Sequence, residues 1–359
     1  MHEGLRHGLA VGLLVGAVVA GCSGDTADVG GDGDDHTDCS PARPADVGSE
    51  RRSFDSGGVR REYEVTIPPG YDGTSAAPLL LSLHGFTSNI EEQDAASNFP
   101  IAAAERGYIV VTPQALAVKV PLGGTEVEAP LWNIAPAFSQ AAAPGQGELE
   151  AGDDVGFLTA LLDTLEADEL CVDPDRVYVS GISNGAGMTT MLVCNDDYRF
   201  AAAAPVAGVN MTTSCSPTDP TPVIAFHGDA DTLVPYEGGS LLGYDLGLPA
   251  VEQQVTDLAV VGGCDPTPEA EQPFDDVRHL VWDCPEGMAA ELYTVIGGGH
   301  TWPGSTAYAE SDATAGAREG RESALGGRDL GSILGHQTEN VIATELILDF
   351  FDANRGDAK

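Results

Sequence analysis

The 359-residue chain carries 16 Lys and Arg against 56 Asp and Glu, a formal net charge of -40, and its 42% hydrophobic residues suffice for a sizeable core. A field of that sign repels phosphate backbones, which excludes nucleic acid as an expected partner. The same surplus reads as a solubilising surface suited to a salty or crowded exterior.

In chain order, Arg6 and His7 precede an apolar run from Leu9 to Ala20, too short to span a bilayer, that ends in Val19-Ala20-Gly21-Cys22. Small residues ahead of a cysteine predict a bacterial lipoprotein signal over residues 1–22, with the Cys22 thiol taking the lipid. The mature protein is therefore expected outside the cell or at its surface, touching the membrane only through that anchor. Residues 23–47 are polar, acidic and Gly-rich, with too little apolar surface to offset ordering entropy, and read as a flexible tether. Their Asp/His cluster reads as solvated charge rather than a metal site, and with no C-x-x-C pair neither metal nor cofactor is expected.

Residues 48–355 show no internal repeat or composition break and predict one catalytic domain. Val59–Pro68 alternates like an edge strand. Fully apolar runs of the kind buried parallel strands make follow at Pro78–Gly85, Tyr108–Pro113, Arg176–Gly181, Phe200–Gly208, Pro222–Gly228 and Glu291–Gly298. Amphipathic helical patterns lie between or after them, over Glu91–Gly107, Asp153–Asp168, Asn184–Asn195, Val251–Gly263 and Thr338–Gly356. The alternation predicts an α/β fold, a mostly parallel central sheet flanked by helices. Setting Cys22 aside, seven cysteines leave six, an even number that favours disulfides in an exported chain. Six cysteines allow about 15 pairings; loop closure favours Cys264 with Cys284 and Cys194 with Cys215, leaving Cys39 with Cys171.

In such a sheet reactive groups follow the carboxyl ends of the strands. Gly181-Ile182-Ser183-Asn184-Gly185 falls there, between a strand and a helical pattern, where a sharp turn needs glycines for clearance around a strained serine. A serine needs a histidine to take its proton and a carboxylate to hold that histidine's tautomer. HGDADTLVPY offers Asp229 and Asp231 after one strand, and GGGHTWPG offers His300 after another, in the Ser, Asp, His order of α/β-hydrolases. Oxyanion donors would be the backbone N–H groups of Asn184 and of Phe86, which follows His84-Gly85. His84 and His227 read as structural histidines, Asp153 and Asp154 as helix-opening carboxylates serving the macrodipole, and Trp132 and Trp302, both in loops, as walls of the substrate cleft.

Together SLHGF, GISNGAGM, HGDADTLVPYEGG and GGGHTWPG resemble the exported polyhydroxybutyrate depolymerase and feruloyl esterase-like family of α/β-hydrolases, over about residues 58–352, with CVDPDRVYVSG, DDVGF and the Trp132-Asn133 pair in support. The resemblance implies Ser183 as nucleophile, Asp231 rather than Asp229 as acid and His300 as base. It implies an ester substrate, polymer-linked or small: feruloyl or acetyl esters of plant polysaccharide, or polyhydroxybutyrate. Where the family often has a cysteine after the first His-Gly, this chain has Phe86, which suggests that one family disulfide is absent or rearranged. Only about a dozen residues, Val209–Thr221, separate the strand after the elbow helix from the next, so no large lid domain is expected. Two other readings share the fold: a prolyl-oligopeptidase-type serine peptidase, disfavoured without an N-terminal propeller, and a non-catalytic surface binding protein.

Overall fold

In the computed structural model, which describes residues 38–122, 125–134, 152–195, 198, 200–209, 215–241, 244–307 and 335–356, the apolar runs become the middle of a ten-stranded sheet. The strands are β1 (Gly48–Ser56), β2 (Val59–Ile67), β3 (Ala77–Leu83), β4 (Ile109–Pro113), β5 (Ala117–Leu122), β6 (Thr125–Pro130), β7 (Val172–Ile182), β8 (Ala202–Val206), β9 (Val223–Gly228), β10 (Gly239–Leu241), β11 (Tyr244–Leu248), β12 (Glu269–Phe274), β13 (Val277–Val281) and β14 (Ala290–Val295). The main sheet runs β1-β2-β4-β3-β7-β8-β9-β14-β13-β12; β5 with β6 and β10 with β11 form separate hairpins. From β4 to β14 every neighbouring pair is parallel. The two edges are antiparallel ribbons.

Alternation along the strands explains why the central runs are apolar at every position. Leu79 and Leu81 of β3 enter one core with Phe157, Leu158 and Leu161, whereas Leu80 enters a second core with Phe99, Ile347 and Phe351. The helices behind these contacts are α1 (Ile90–Ser97), α2 (Phe99–Glu105), α3 (Asp154–Thr164), α4 (Asn184–Val193), α5 (Val251–Val261) and α6 (Ala343–Ala353). Helices α3 and α4 cover one face, α2 and α6 the other, and α5 packs on a third cluster with Ala225, Leu280 and Leu292. A sheet buried on both faces needs no polar side, so its strands read as continuous hydrophobic runs. The fold is that of an α/β-hydrolase.

Three features differ from the periodicity. The pattern over Glu91–Gly107 is two helices, because Asn98 takes a left-handed conformation (φ 55°) that ends α1, and Pro100 restarts the chain in the first turn of α2. The helix expected from Asp153 leaves α geometry for a π turn over Leu165–Glu169. β1 and β12 escape the reading because an edge strand in water keeps few apolar residues; β12 is exposed at every position.

Disulfides join Cys39 to Cys171, Cys194 to Cys215 and Cys264 to Cys284. The first of these closes the longest span, 132 residues, and it ties down the end of the segment expected as tether. Asp38 bridges Ser75, Cys39 N–H donates to Thr74 O at 2.6 Å, and the Arg43 guanidinium donates to Leu170 O at 3.0 Å and to Glu166 O. Asp38, Cys39 and Arg43 are therefore joined to the frame, ahead of the residue 48 boundary. Residues 1–37, with Cys22 and the remainder of the expected tether, lie outside the described residues, as do 135–151 and 308–334, which follow Trp132 and Trp302.

One half-buried carboxylate couples folding to pH. Asp94, which accepts a hydrogen bond from Thr112 Oγ1 at 2.7 Å, has its carboxyl pushed up to about 7 by burial. The folded protein then keeps a proton that the unfolded chain releases near pH 4, so stability falls as pH rises from about 4 to about 7. Asp94→Asn, neutral throughout, is expected to add on the order of 1 kcal/mol at pH 8 and almost nothing at pH 4, read from urea midpoints. Equal shifts at both pH values would remove the account.

Candidate active site

β7 runs directly into α4 through Ser183, whose backbone sits at φ 58° and ψ −119°. A non-glycine residue held there stores roughly 1–3 kcal/mol, which surrounding contacts must offset. Ser183 N–H donates to Val206 O at 2.9 Å on the neighbouring strand, and Ser183 O accepts the N–H of Gly187 at 3.0 Å inside α4. The flanking glycines are needed for space. A Cβ on Gly181 would lie 2.6 Å from the Gly185 backbone, and one on Gly185 would lie 2.2 Å from Leu83 O. Gly185→Ala is therefore expected to lower stability by at least about 1–3 kcal/mol and to cut turnover, because the backbone must shift at the elbow; a thermal melt and an esterase assay within error of wild type would contradict this.

Asp231 follows β9 and His300 follows β14, the next strand but one and but two from β7 along the sheet. His300 Nδ1 donates to Asp231 Oδ2 at 2.7 Å, and Asp231 Oδ1 accepts the N–H groups of Leu233 at 2.8 Å and Val234 at 2.9 Å. Burial alone would push the Asp231 carboxyl up; the His300 ring and the amide donors outweigh it and hold the carboxyl below its ordinary value. With Nδ1 carrying the proton, His300 Nε2 is left as an acceptor on the opposite side of the ring. The Asp231 and His300 turns touch backbone to backbone: Ala230 N–H donates to Gly298 O at 2.9 Å, and a Cβ on Gly228 would lie 2.2 Å from that oxygen. Asp229 takes no part in the His300 contact; its carboxylate accepts the Gly297 N–H and fixes the turn ahead of His300.

The turn after β3 closes on the same edge. A Cβ on Gly85 would lie 3.4 Å from Ser183 Cβ, so the His84-Gly85-Phe86 turn rests against the elbow. Asn184 is the first residue of α4, where a backbone N–H has no intrahelical acceptor. The Phe86 ring packs with Val118, Val120 and Leu131 at the β5–β6 hairpin. The arrangement sets a serine, an oriented imidazole and a fixed carboxylate on three strand ends of one sheet edge, with a helix N-terminus and a tight turn beside the serine.

No family model matches the chain. It is 30% identical over 283 residues to "Putative esterase NocK" of Nocardia uniformis subsp. tsuyamanensis, covering 73% of this chain and 76% of that protein. The chain belongs to the feruloyl esterase and polyhydroxybutyrate depolymerase-like family of esterases. Within that family it is 28% identical over 248 residues to feruloyl esterase B of Piromyces equi (67% of this chain, 42% of that protein). It is 27% identical over 258 residues to poly(3-hydroxyalkanoate) depolymerase C of Paucimonas lemoignei (66% of this chain, 57% of that protein). It thus spans less than two thirds of the length of either of these two relatives. Among solved structures, the acetyl xylan esterase from Aspergillus awamori is similar at TM-score 0.47 and 14% identity, covering 78% of this chain and 100% of that chain.

Two residues of this family member expected in the cleft wall are elsewhere. Trp132 is fully buried, and its indole N–H donates to His84 O at 2.9 Å. Trp302 is equally buried, edge-on to Phe99 at 5.4 Å, and donates to Thr344 Oγ1 at 3.0 Å. Both loops lie under other chain segments, so a tryptophan outside a strand is here a core residue rather than a cleft wall. His84 donates from Nδ1 to Gly85 O at 2.7 Å and accepts at Nε2 from Ala115 N–H at 3.1 Å and Gln114 Nε2 at 3.0 Å. Burial pushes it down to about 4, so it stays neutral. His227, also pushed down by burial, donates from Nε2 to Val234 O at 2.8 Å behind Asp231.

The helix-opening pair splits its work. Asp153 caps α3 by accepting Gly156 N–H at 2.9 Å. Asp154 instead forms a buried ion pair with Arg61 at 2.7 Å and accepts Asn133 N–H at 2.7 Å. Arg61 lies over the Phe157 ring at 3.9 Å. The sequence held a signal for this pair: strand alternation puts Arg61 on the same face as Tyr63 and Val65, and a guanidinium on a buried face demands a carboxylate.

Proposed function

We propose that this protein is an exported serine carboxylic-ester hydrolase that cleaves polymer-linked esters, feruloyl or acetyl esters of plant polysaccharide or polyhydroxybutyrate, through an acyl-enzyme. The observation that carries the reading is the 2.7 Å hydrogen bond between His300 and Asp231 on the strand-end edge that also bears the Ser183 elbow. Ser183 Oγ attacks the ester carbonyl carbon while His300 Nε2 takes its proton. The buried Asp231 carboxylate stabilises the imidazolium so formed. The tetrahedral oxyanion is held by the backbone N–H groups of Phe86 and Asn184, and loss of one such donor costs about 2.7–4 kcal/mol in the transition state. Collapse expels the alcohol, which takes the proton from His300, and water then releases the acid by the same steps in reverse order.

The substrate class rests on relatives named feruloyl esterase and poly(3-hydroxyalkanoate) depolymerase. Export rests on the apolar leader ending at Cys22 and on the three disulfides, which persist in oxidising compartments. The test is labelling with a fluorophosphonate probe followed by a hydrolysis panel of methyl ferulate, acetylated xylan and polyhydroxybutyrate. Adduct on Ser183 with a preference within the panel is the expected result. Labelling at another residue, or no ester hydrolysis, would overturn it.

A further inference from the structure

A backbone oxyanion donor can belong to any residue, so its role leaves the asparagine at position 184 unexplained. The structure supplies a use for that side chain. Asn184 Oδ1 accepts the N–H of Trp132 at 2.7 Å, and Asn184 Nδ2 donates to Trp132 O at 3.0 Å, a two-point clasp on the backbone of one residue. Trp132 then reaches the other side of the site, because its indole N–H donates to His84 O at 2.9 Å. Two residues earlier, Pro130 O accepts the N–H of Thr87 at 3.0 Å. The segment Pro130–Trp132 therefore grips the turn on both sides of Phe86 and, at the same time, the side chain of Asn184.

We propose that the Asn184 side chain and Trp132 are positioning residues that fix the separation of the two oxyanion donors, the N–H groups of Phe86 and Asn184. The inference rests on the serine-esterase reading above. Asn184, Trp132 and His84 are all buried, so water does not compete for these bonds. The brace is itself held from behind, since Asn133 N–H donates to Asp154, which is paired with Arg61. Two amides on different chain segments must meet one oxygen at 2.7–3.1 Å, and a misplacement of about 1 Å costs on the order of 100-fold in rate.

The test uses the full chain carrying Asn184→Ala, Asn184→Asp or Trp132→Phe, each of which keeps both backbone donors. Trp132→Phe also keeps an aromatic ring and the clasp on Asn184, so it reads the brace if the Asn184 variants do not fold. Trp282→Phe, at a buried tryptophan whose indole N–H has no hydrogen-bond partner among the described residues, serves as the packing control. Readouts are kcat and KM for p-nitrophenyl acetate, affinity for a phenylboronic acid that mimics the tetrahedral intermediate, and melting temperature. Asn184→Ala and Trp132→Phe are expected to lower kcat about 10- to 100-fold with KM within about twofold, and to weaken the boronic acid by the same factor. Asn184→Asp is expected to lose more, since its carboxylate faces Trp132 O. The control stays within about twofold on every count.

A folded variant with wild-type kcat, a loss carried by KM alone, or a fall in kcat without a matching fall in boronic acid affinity would overturn the brace. Failure of the underlying reading looks different: wild-type protein would then take no fluorophosphonate on Ser183, whatever the variants do.

Discussion

Ser183→Ala is expected to lower turnover of p-nitrophenyl acetate by about 10⁴- to 10⁶-fold while the protein still folds. Alanine keeps the Cβ at the strained elbow and removes only the hydroxyl, so the bonds to Val206 and Gly187, made by backbone atoms, survive. What rate is left would come from the oxyanion donors and from substrate binding, which do not use the serine oxygen. The far-ultraviolet circular dichroism and melting temperature should match wild type. Turnover within about tenfold of wild type would remove Ser183 from the mechanism and move attention to another nucleophile or to a bound water.

The second large effect is on stability. Arg61→Ala is expected to cost about 3–5 kcal/mol, seen as a lower urea midpoint at unchanged slope. Burial pushes the Asp154 carboxyl up, and Arg61 at 2.7 Å is the cation that opposes this. Without the guanidinium the carboxylate stays buried with only the Asn133 N–H at 2.7 Å, so it must take up a proton or draw in water. The sign with pH follows: the variant's deficit should shrink on acidification, because the neutral acid needs no counter-ion. A double replacement of Arg61 and Asp154 by apolar residues of similar volume is expected to recover most of the loss, since such pairs add little stability over a packed apolar core. A midpoint shift below about 1 kcal/mol for Arg61→Ala would show that the pair is solvated in practice.

The parts of the fold that could be read ahead were those written locally. A buried parallel strand shows as an unbroken apolar run because both of its faces are covered, and all of the parallel strands of the sheet were visible that way. The elbow was visible as well, since two glycines bracket a serine between a strand and a helix pattern. Edge strands such as β12, which keeps one large apolar residue, Phe274, exposed in water, leave no such trace. What resisted reading was contact between distant segments. Asn184 and Trp132 are 52 positions apart, and Trp302 meets Thr344 across 42; nothing local to either tryptophan says which segment covers it. The family resemblance ranks Asp231 above Asp229. The two carboxylates face different loops, one capping Gly297 and the other meeting His300.

The Cys39–Cys171 bond also gives the molecule a direction. Cys171 immediately precedes β7 and Ser75 lies just before β3, so the N-terminal segment joins the sheet at the starting ends of its parallel strands. Ser183, Asp231 and His300 follow the finishing ends. The strands thus act as a spacer of fixed polarity, with Asp38 and Cys39 at one end of the sheet and Ser183, Asp231 and His300 at the other.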